Sequence, residues 1–196
     1  MKNNYSKSFL DLIQKITVNL DHKKIDQMAI KISQLRKKKG RLFFLGVGGS
    51  AANSSHSVND FRKLCNVESY SPVDNVAELT ARINDEGWEN SFKDWLKVSN
   101  LNKKDAIFIF SVGGGNKKKQ ISTNLITAVD YAKSVKAQVF GVIGKKDGYV
   151  NLKGDLVIVI PEVNLKKVTP LSEAYQAVVW HCLVSNPILQ TKKNKW

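Results

Sequence analysis

The chain is poor in cysteine, proline, histidine and methionine, with 2, 4, 3 and 2 of them among 196 residues. Cys65 and Cys182 have no C-x-x-C spacing, which excludes a disulfide scaffold and a zinc ribbon. Both are expected as small buried apolar side chains. Scarce proline and the lack of any low-complexity stretch exclude a long disordered linker. No apolar run approaches the roughly 18–20 residues a membrane span needs. The opening segment, residues 1–15, lacks the apolar core and small-residue cleavage site of a secretory signal. The expectation is a soluble, cytoplasmic protein with no membrane partner.

Acidic residues are also scarce against basic ones, 17 to 31, giving a formal charge of +14. The basic residues fall in short clusters spread along the chain, at 36–39, 117–119, 145–146, 166–167 and 192–195. None is interleaved with stacking aromatics, and no RNP-like or zinc-finger spacing occurs, which argues against a nucleic-acid partner. A solvated surface that attracts anionic metabolites is the expected consequence. With 42% hydrophobic and 24% charged residues, the composition is that of a globular chain of one domain. That domain is expected over residues 1–190. Residues 1–40 form a helical segment on the core and in oligomer contacts, and residues 191–196 a loose basic tail.

Apolar positions at helical spacing predict two helices in the first forty residues, with a break near Asp21 and a stop at Gly40. Continuous apolar runs at 41–45, 106–110, 138–143 and 156–160 read as buried strands, with a short strand and turn at 69–72. Between them the spacing predicts helices over 50–65, from an Asp74 cap to about 83, one with Trp88, Phe92, Trp95 and Leu96 on its buried face, and others over 119–134 and over 170–185. Residues 84–87 read as a loop. Such alternation predicts an α/β fold: a three-layer, doubly wound parallel sheet with N-terminal helices.

Two of the predicted strands end in glycine-rich loops, Gly46-Val47-Gly48-Gly49-Ser50 and Ser111-Val112-Gly113-Gly114-Gly115-Asn116. At the carboxyl end of a parallel strand such a loop can present backbone amides to a phosphate, or it can simply permit a tight turn. Neither has the P-loop order or the dinucleotide fingerprint. His56 and Asp60, four apart on a predicted helix, share one face and suit two metal ligands, an acid with its orienting partner, or a plain surface pair. Glu173 and His181 are ionisable residues on an otherwise apolar last helix, where the ordinary reading is a buried histidine satisfied by a backbone carbonyl. Two histidines and two carboxylates suit zinc or another divalent first-row ion, although eight helical residues separate Glu173 from His181 by about 12 Å.

The combined pattern resembles the sugar isomerase (SIS) domain family, in its phosphoheptose isomerase branch. The resemblance is carried by residues 46–53 (GVGGSAAN), His56, residues 84–87 (NDEG), the Ser111 loop, residues 144–148, Thr169-Pro170 and His181. It implies a flavodoxin-like fold, a homotetramer with sites at subunit junctions, and one zinc per site held by His56, Asp60, Glu173 and His181. It further implies a sugar-phosphate pocket containing Gly48, Gly49, Ser50, Asn84, Asp85, Ser111, Gly113, Gly114, Asn116 and Glu173, with Asp60 as base and His181 as acid. The implied reaction is ketose–aldose isomerisation of sedoheptulose 7-phosphate to D-glycero-D-manno-heptose 7-phosphate, feeding lipopolysaccharide or capsule. The alternative is a non-catalytic SIS module that binds a sugar phosphate or a replication-initiator protein. The family has Asn at the place of Val47, Glu at that of Asp60 and Gln at that of Glu173.

Overall fold

A computed structural model of the chain describes residues 4–193. Helices α1 (Tyr5–Asn19) and α2 (His22–Lys37) lead into β1 (Leu42–Leu45), α3 (Gly49–Cys65) and the short β2 (Ser69–Tyr70). A 3-10 turn (Pro72–Asp74) precedes α4 (Val76–Glu86) and α5 (Ser91–Val98). Then come β3 (Ala106–Ser111), α6 (Thr123–Ser134), β4 (Gln138–Ile143), α7 (Tyr149–Lys153), β5 (Leu156–Val159) and α8 (Val168–Ser185).

The five strands are all parallel, in the order β2-β1-β3-β4-β5, with Leu42 level with Ala106 and Leu45 with Ile109. Alternation along each strand divides the side chains between two cores. Leu42, Phe44, Phe108, Phe110 and Val142 face α1, α2, α3 and α8, while Phe43, Leu45, Ile107, Ile109 and Val139 face α5, α6 and α7. Both faces are covered, as continuously apolar parallel strands require, and the expected three-layer doubly wound α/β fold is what forms. The order reverses between β1 and β3, so the two glycine-rich loops leave neighbouring strands at the switch point of the sheet.

Several boundaries differ from expectation for identifiable reasons. The break between α1 and α2 is made by extended Leu20 and by Asp21, which caps α2 through the Lys24 amide. The second helix stops at Lys37, and Lys39 takes the left-handed conformation (φ 54°) before Gly40. Gly40 is needed because any side chain there would strike the Lys104 carbonyl. Asn75, not Asp74, caps α4, because the Asp74 carboxylate is taken by the Ser55 hydroxyl. The same helix continues through residues 84–86, expected as a loop, and stops at Gly87. Helix α5 starts only at Ser91 and leaves Trp88, expected on its buried face, exposed before it. Helix α6 begins at Thr123 rather than at 119, since Asn116 and Ile121 pair as an antiparallel bridge and hold the intervening lysines in a turn. The five-residue α7 is too short to show an apolar period and was not expected.

Of the two cysteines expected to be buried, Cys65 is, and burial pushes its thiol up to about 11. Cys182 is exposed, because α8 turns that side away from the sheet. In the segment expected as a loose tail, Thr191 and Lys192 donate to the Leu64 carbonyl at the end of α3. Residues 194–196 of that tail lie outside the described residues.

Candidate functional site

Two helices build the site. α3 starts directly after the first glycine loop, where Gly48 adopts φ 63° and turns the chain from β1 into the helix. The start of α3 is almost entirely small (Gly49, Ser50, Ala51, Ala52), which lets α8 approach it closely. Along α3, Ser50, Asn53, His56 and Asp60 recur at helical spacing on one face. Along α8, Glu173, Gln176 and Trp180 follow at i, i+3 and i+7, so the two sets face each other.

Polar groups fill the seam between them. The fully buried Gln176 donates to Ser50 Oγ (3.0 Å) and accepts from Asn53 Nδ2 (2.8 Å), and Asn53 also donates to the Glu173 carbonyl (3.1 Å). Each partner thus satisfies the other's desolvated group, as burial demands. Farther along the seam lies Asp60, only 7% exposed. Its Oδ2 is 3.2 Å from Trp180 Nε1, 3.5 Å from His56 Nε2 and 3.6 Å from His181 Nδ1, while Asn59 Nδ2 reaches Oδ1 at 3.0 Å. The two histidine side chains are about half exposed, at 54% and 53%.

Among the expected metal ligands, His56, Asp60 and His181 come together, with one potential ligand atom from each lying within 4.8 Å of the others. Two imidazole nitrogens and one carboxylate oxygen, open to solvent on the histidine side, form a donor set that fits a divalent first-row ion and leaves room for water or substrate. Glu173 does not join them within this chain. Its carboxylate lies over the first turn of α3, 2.7 Å from where a side chain at position 49 would begin. The positive end of the α3 dipole thus already faces one carboxylate of the protein itself.

The second glycine loop is organised internally. Ser111 Oγ accepts from the Gly114 amide (2.9 Å), and Asn116 Oδ1 accepts from the Lys119 amide (3.0 Å). The Gly114 and Gly115 carbonyls take the amides of Val150 and Tyr149, latching the loop to α7. Gly113 faces open space, whereas a side chain at Gly148 would run into the Gly113 carbonyl. Lys117 is paired with Asp130 and sits over the Tyr149 ring, and Lys118 and Lys119 are exposed. Asn84 and Asp85 lie exposed in the last turn of α4, hydrogen-bonded to each other (2.7 Å). Among the described residues no hydrogen bond or ion pair joins them to the His–Asp–His cluster. A cleft of about 980 Å³ beyond β4 and β5, bordered by Lys24, Lys145, Lys146 and Glu162, contains none of the expected site residues.

Three site residues were not singled out from the sequence as such: Asn53, Gln176 and Trp180. Gln176 was legible in principle, being an uncharged polar residue between Glu173 and Trp180 on an apolar helix. Trp180 looked like core, and it is core. Only packing reveals that its N–H faces Asp60.

No protein-family model matches the chain. It is 30% identical over 154 residues to the lincomycin biosynthesis protein LmbN of Streptomyces lincolnensis, covering 74% of this chain but spanning only 54% of that relative. It is 31% identical over 156 residues to a phosphoheptose isomerase of Leptospira biflexa, covering 76% of this chain and 74% of the relative. A solved phosphoheptose isomerase structure from Francisella tularensis superimposes with a TM-score of 0.83 at 17% identity, covering 98% of this chain and all of that one (100%). At that identity the structural likeness speaks for the fold. No helix among the described residues is long and apolar enough to cross a membrane.

Proposed function

Because the chain belongs to the phosphoheptose isomerase family, we propose that it is an aldose–ketose isomerase that converts sedoheptulose 7-phosphate to D-glycero-D-manno-heptose 7-phosphate in heptose biosynthesis. The observation that carries this reading is the meeting of His56, Asp60 and His181 at the seam of α3 and α8. A non-catalytic sugar-phosphate module has no use for a buried carboxylate set between two half-exposed imidazoles.

Isomerisation moves a proton between adjacent carbons, and it needs a base on the carbon and an acid on the oxygen. Asp60 is the base: its Oδ2 lies 3.5 Å and 3.6 Å from the two half-exposed imidazoles, and it takes the proton from the carbon next to the carbonyl and returns it to the carbonyl carbon. His181 is the acid: it donates to the carbonyl oxygen that becomes the hydroxyl and recovers a proton from the neighbouring hydroxyl as that one becomes the carbonyl. His56, Asp60 and His181 would also hold a divalent ion, zinc by the chemistry of the donors, which when bound polarises the substrate oxygens. Glu173 borders the sugar and accepts from its hydroxyls. Gly48, Gly49 and Ser50 form the wall beside it.

The phosphate belongs in the second loop, around Ser111, Gly113, Gly114 and Asn116. The α3 end is shared with the Glu173 carboxylate, while the exposed Lys118 and Lys119 add positive potential beside the second loop. Asn84 and Asp85, exposed and not bonded to the cluster within this chain, would act across a subunit junction in a homotetramer.

The test is incubation of the purified protein with sedoheptulose 7-phosphate and, in turn, zinc, manganese, nickel or iron(II), with aldose formation followed over time. Absence of turnover with every ion refutes the assignment.

A further inference from the structure

We propose that Trp180 is a positioning residue: its indole N–H fixes the Asp60 carboxylate so that one oxygen faces both histidines. This rests on the role given to Asp60 above. Three nitrogens surround Asp60 Oδ2, and only Trp180 Nε1, at 3.2 Å, lies within hydrogen-bonding range; His56 and His181 stand off at 3.5 and 3.6 Å. An indole nitrogen is a donor with no lone pair to offer, so it can neither bind a cation nor act as an acid or base in this reaction. It therefore holds the carboxylate without competing for a cation between the histidines.

The donor is also immobile. Trp180 is 2% exposed, with its ring packed against Phe110 (5.8 Å between centroids), His56 (5.2 Å) and His181 (4.8 Å). The other partner of the carboxylate, Asn59, is an exposed neighbour on the same helix, free to turn away.

An aspartate reaches from the backbone through a single methylene, so its carboxylate has little freedom of translation. What must be fixed is its rotation. A donor on one side of Oδ2 does this and leaves the far side of the same oxygen to the histidines. Space filling alone would be served by phenylalanine or leucine; a buried indole needs an acceptor, and here Asp60 provides it. Because Trp180 and His181 are consecutive on α8, one helical turn carries both the clamp on the base and the acid.

Trp180→Phe keeps the ring and removes the donor. The expected result is zinc affinity weakened about tenfold or more, measured by competition with a chromophoric chelator. With sedoheptulose 7-phosphate, kcat should fall about 10–100-fold while KM stays within about threefold, as for a misplaced group acting in the transition state. A purely structural role would lower thermal stability and leave zinc affinity and the kcat-to-KM split unmoved.

Should Trp180→Phe not fold, the indole N–H resonance of Trp180 in nitrogen-15 spectra decides. Asp60→Ala should shift it and speed its hydrogen exchange about tenfold. The proposal falls if folded Trp180→Phe binds zinc within twofold of the wild type, if the wild type takes up no zinc, or if the indole resonance is indifferent to Asp60→Ala. Failure of the wild type to turn over the sugar would remove the isomerase assignment alone, since the zinc and resonance measurements do not depend on turnover.

Discussion

Gln176→Met should loosen the junction of α3 and α8 without changing its volume. Gln176 is fully buried and makes two side-chain hydrogen bonds, to Ser50 Oγ at 3.0 Å and from Asn53 Nδ2 at 2.8 Å. Methionine matches its length and offers neither bond. Each lost bond costs about 1 kcal/mol net, and the Ser50 hydroxyl, 2% exposed, adds about 1 kcal/mol for an unsatisfied buried group. Asn53 is spared that penalty because it still donates to the Glu173 carbonyl at 3.1 Å. The sum is about 3 kcal/mol, or about 6–12 °C in melting temperature for a chain of this size.

The assay is urea unfolding followed by circular dichroism, run alongside Ser50→Ala and the double variant. Ser50→Ala in the Gln176→Met background should be nearly free, because the orphaned hydroxyl goes with it, whereas in the wild type it should cost about 1–2 kcal/mol. If Gln176→Met loses less than about 0.5 kcal/mol, or if the two changes add, the seam is not held by these bonds and the reasoning is refuted.

His56→Ala and His181→Ala should each abolish stoichiometric divalent metal in protein purified without chelator and lower kcat/KM at least about a hundredfold; metal analysis beside the isomerase assay checks both. Gly113→Ala, which meets open space, should melt within about 2 °C of wild type, while Gly148→Ala, which drives a methyl into the Gly113 carbonyl, should destabilise the protein and impair substrate binding together. Cys65, whose thiol is held up near 11 by burial, should resist iodoacetamide at pH 8 until the protein unfolds, because the thiolate is the reactive form. By the same linkage its burial favours the fold below the ordinary thiol value of 9.0, and that contribution is lost as pH rises from 9.0 toward about 11. The difference in stability between wild type and Cys65→Ala, followed across that range, reads it.

The layers of the fold were legible because buried parallel strands are continuously apolar and the long helices repeat every 3.6 residues. What escaped was decided by competition between neighbours. Asp74 had the right chemistry for a cap and lost the position to Asn75 because Ser55 claims its carboxylate. Residues 117–120 looked helical, and the pairing of Asn116 with Ile121 bends them into a turn.

At the site, His56 and Asp60 were legible because four-residue spacing fixes their common face. That His181 joins them, and that Glu173 sits over Gly49 instead, depends on the depth at which α8 slides along α3, which no local spacing encodes. Gln176 and Trp180 needed the partner helix in place before their hydrogen bonds had a meaning.

The split of the site between α3 and α8 also sets a schedule. Thr17 on α1 meets the Tyr175 hydroxyl on α8 (2.6 Å), and β1 waits for β3 before it gains its second neighbour. A chain emerging from the ribosome can thus assemble most of its sheet while His56 and Asp60 still lack every partner they will have on α8. Helix α8, synthesised after the whole sheet, completes the chemistry and fastens α1 down in the same event. Folding and acquisition of activity should therefore be inseparable in time, and a nascent chain halted ahead of residue 168 would expose an apolar groove where α8 belongs, the surface on which a chaperone would act.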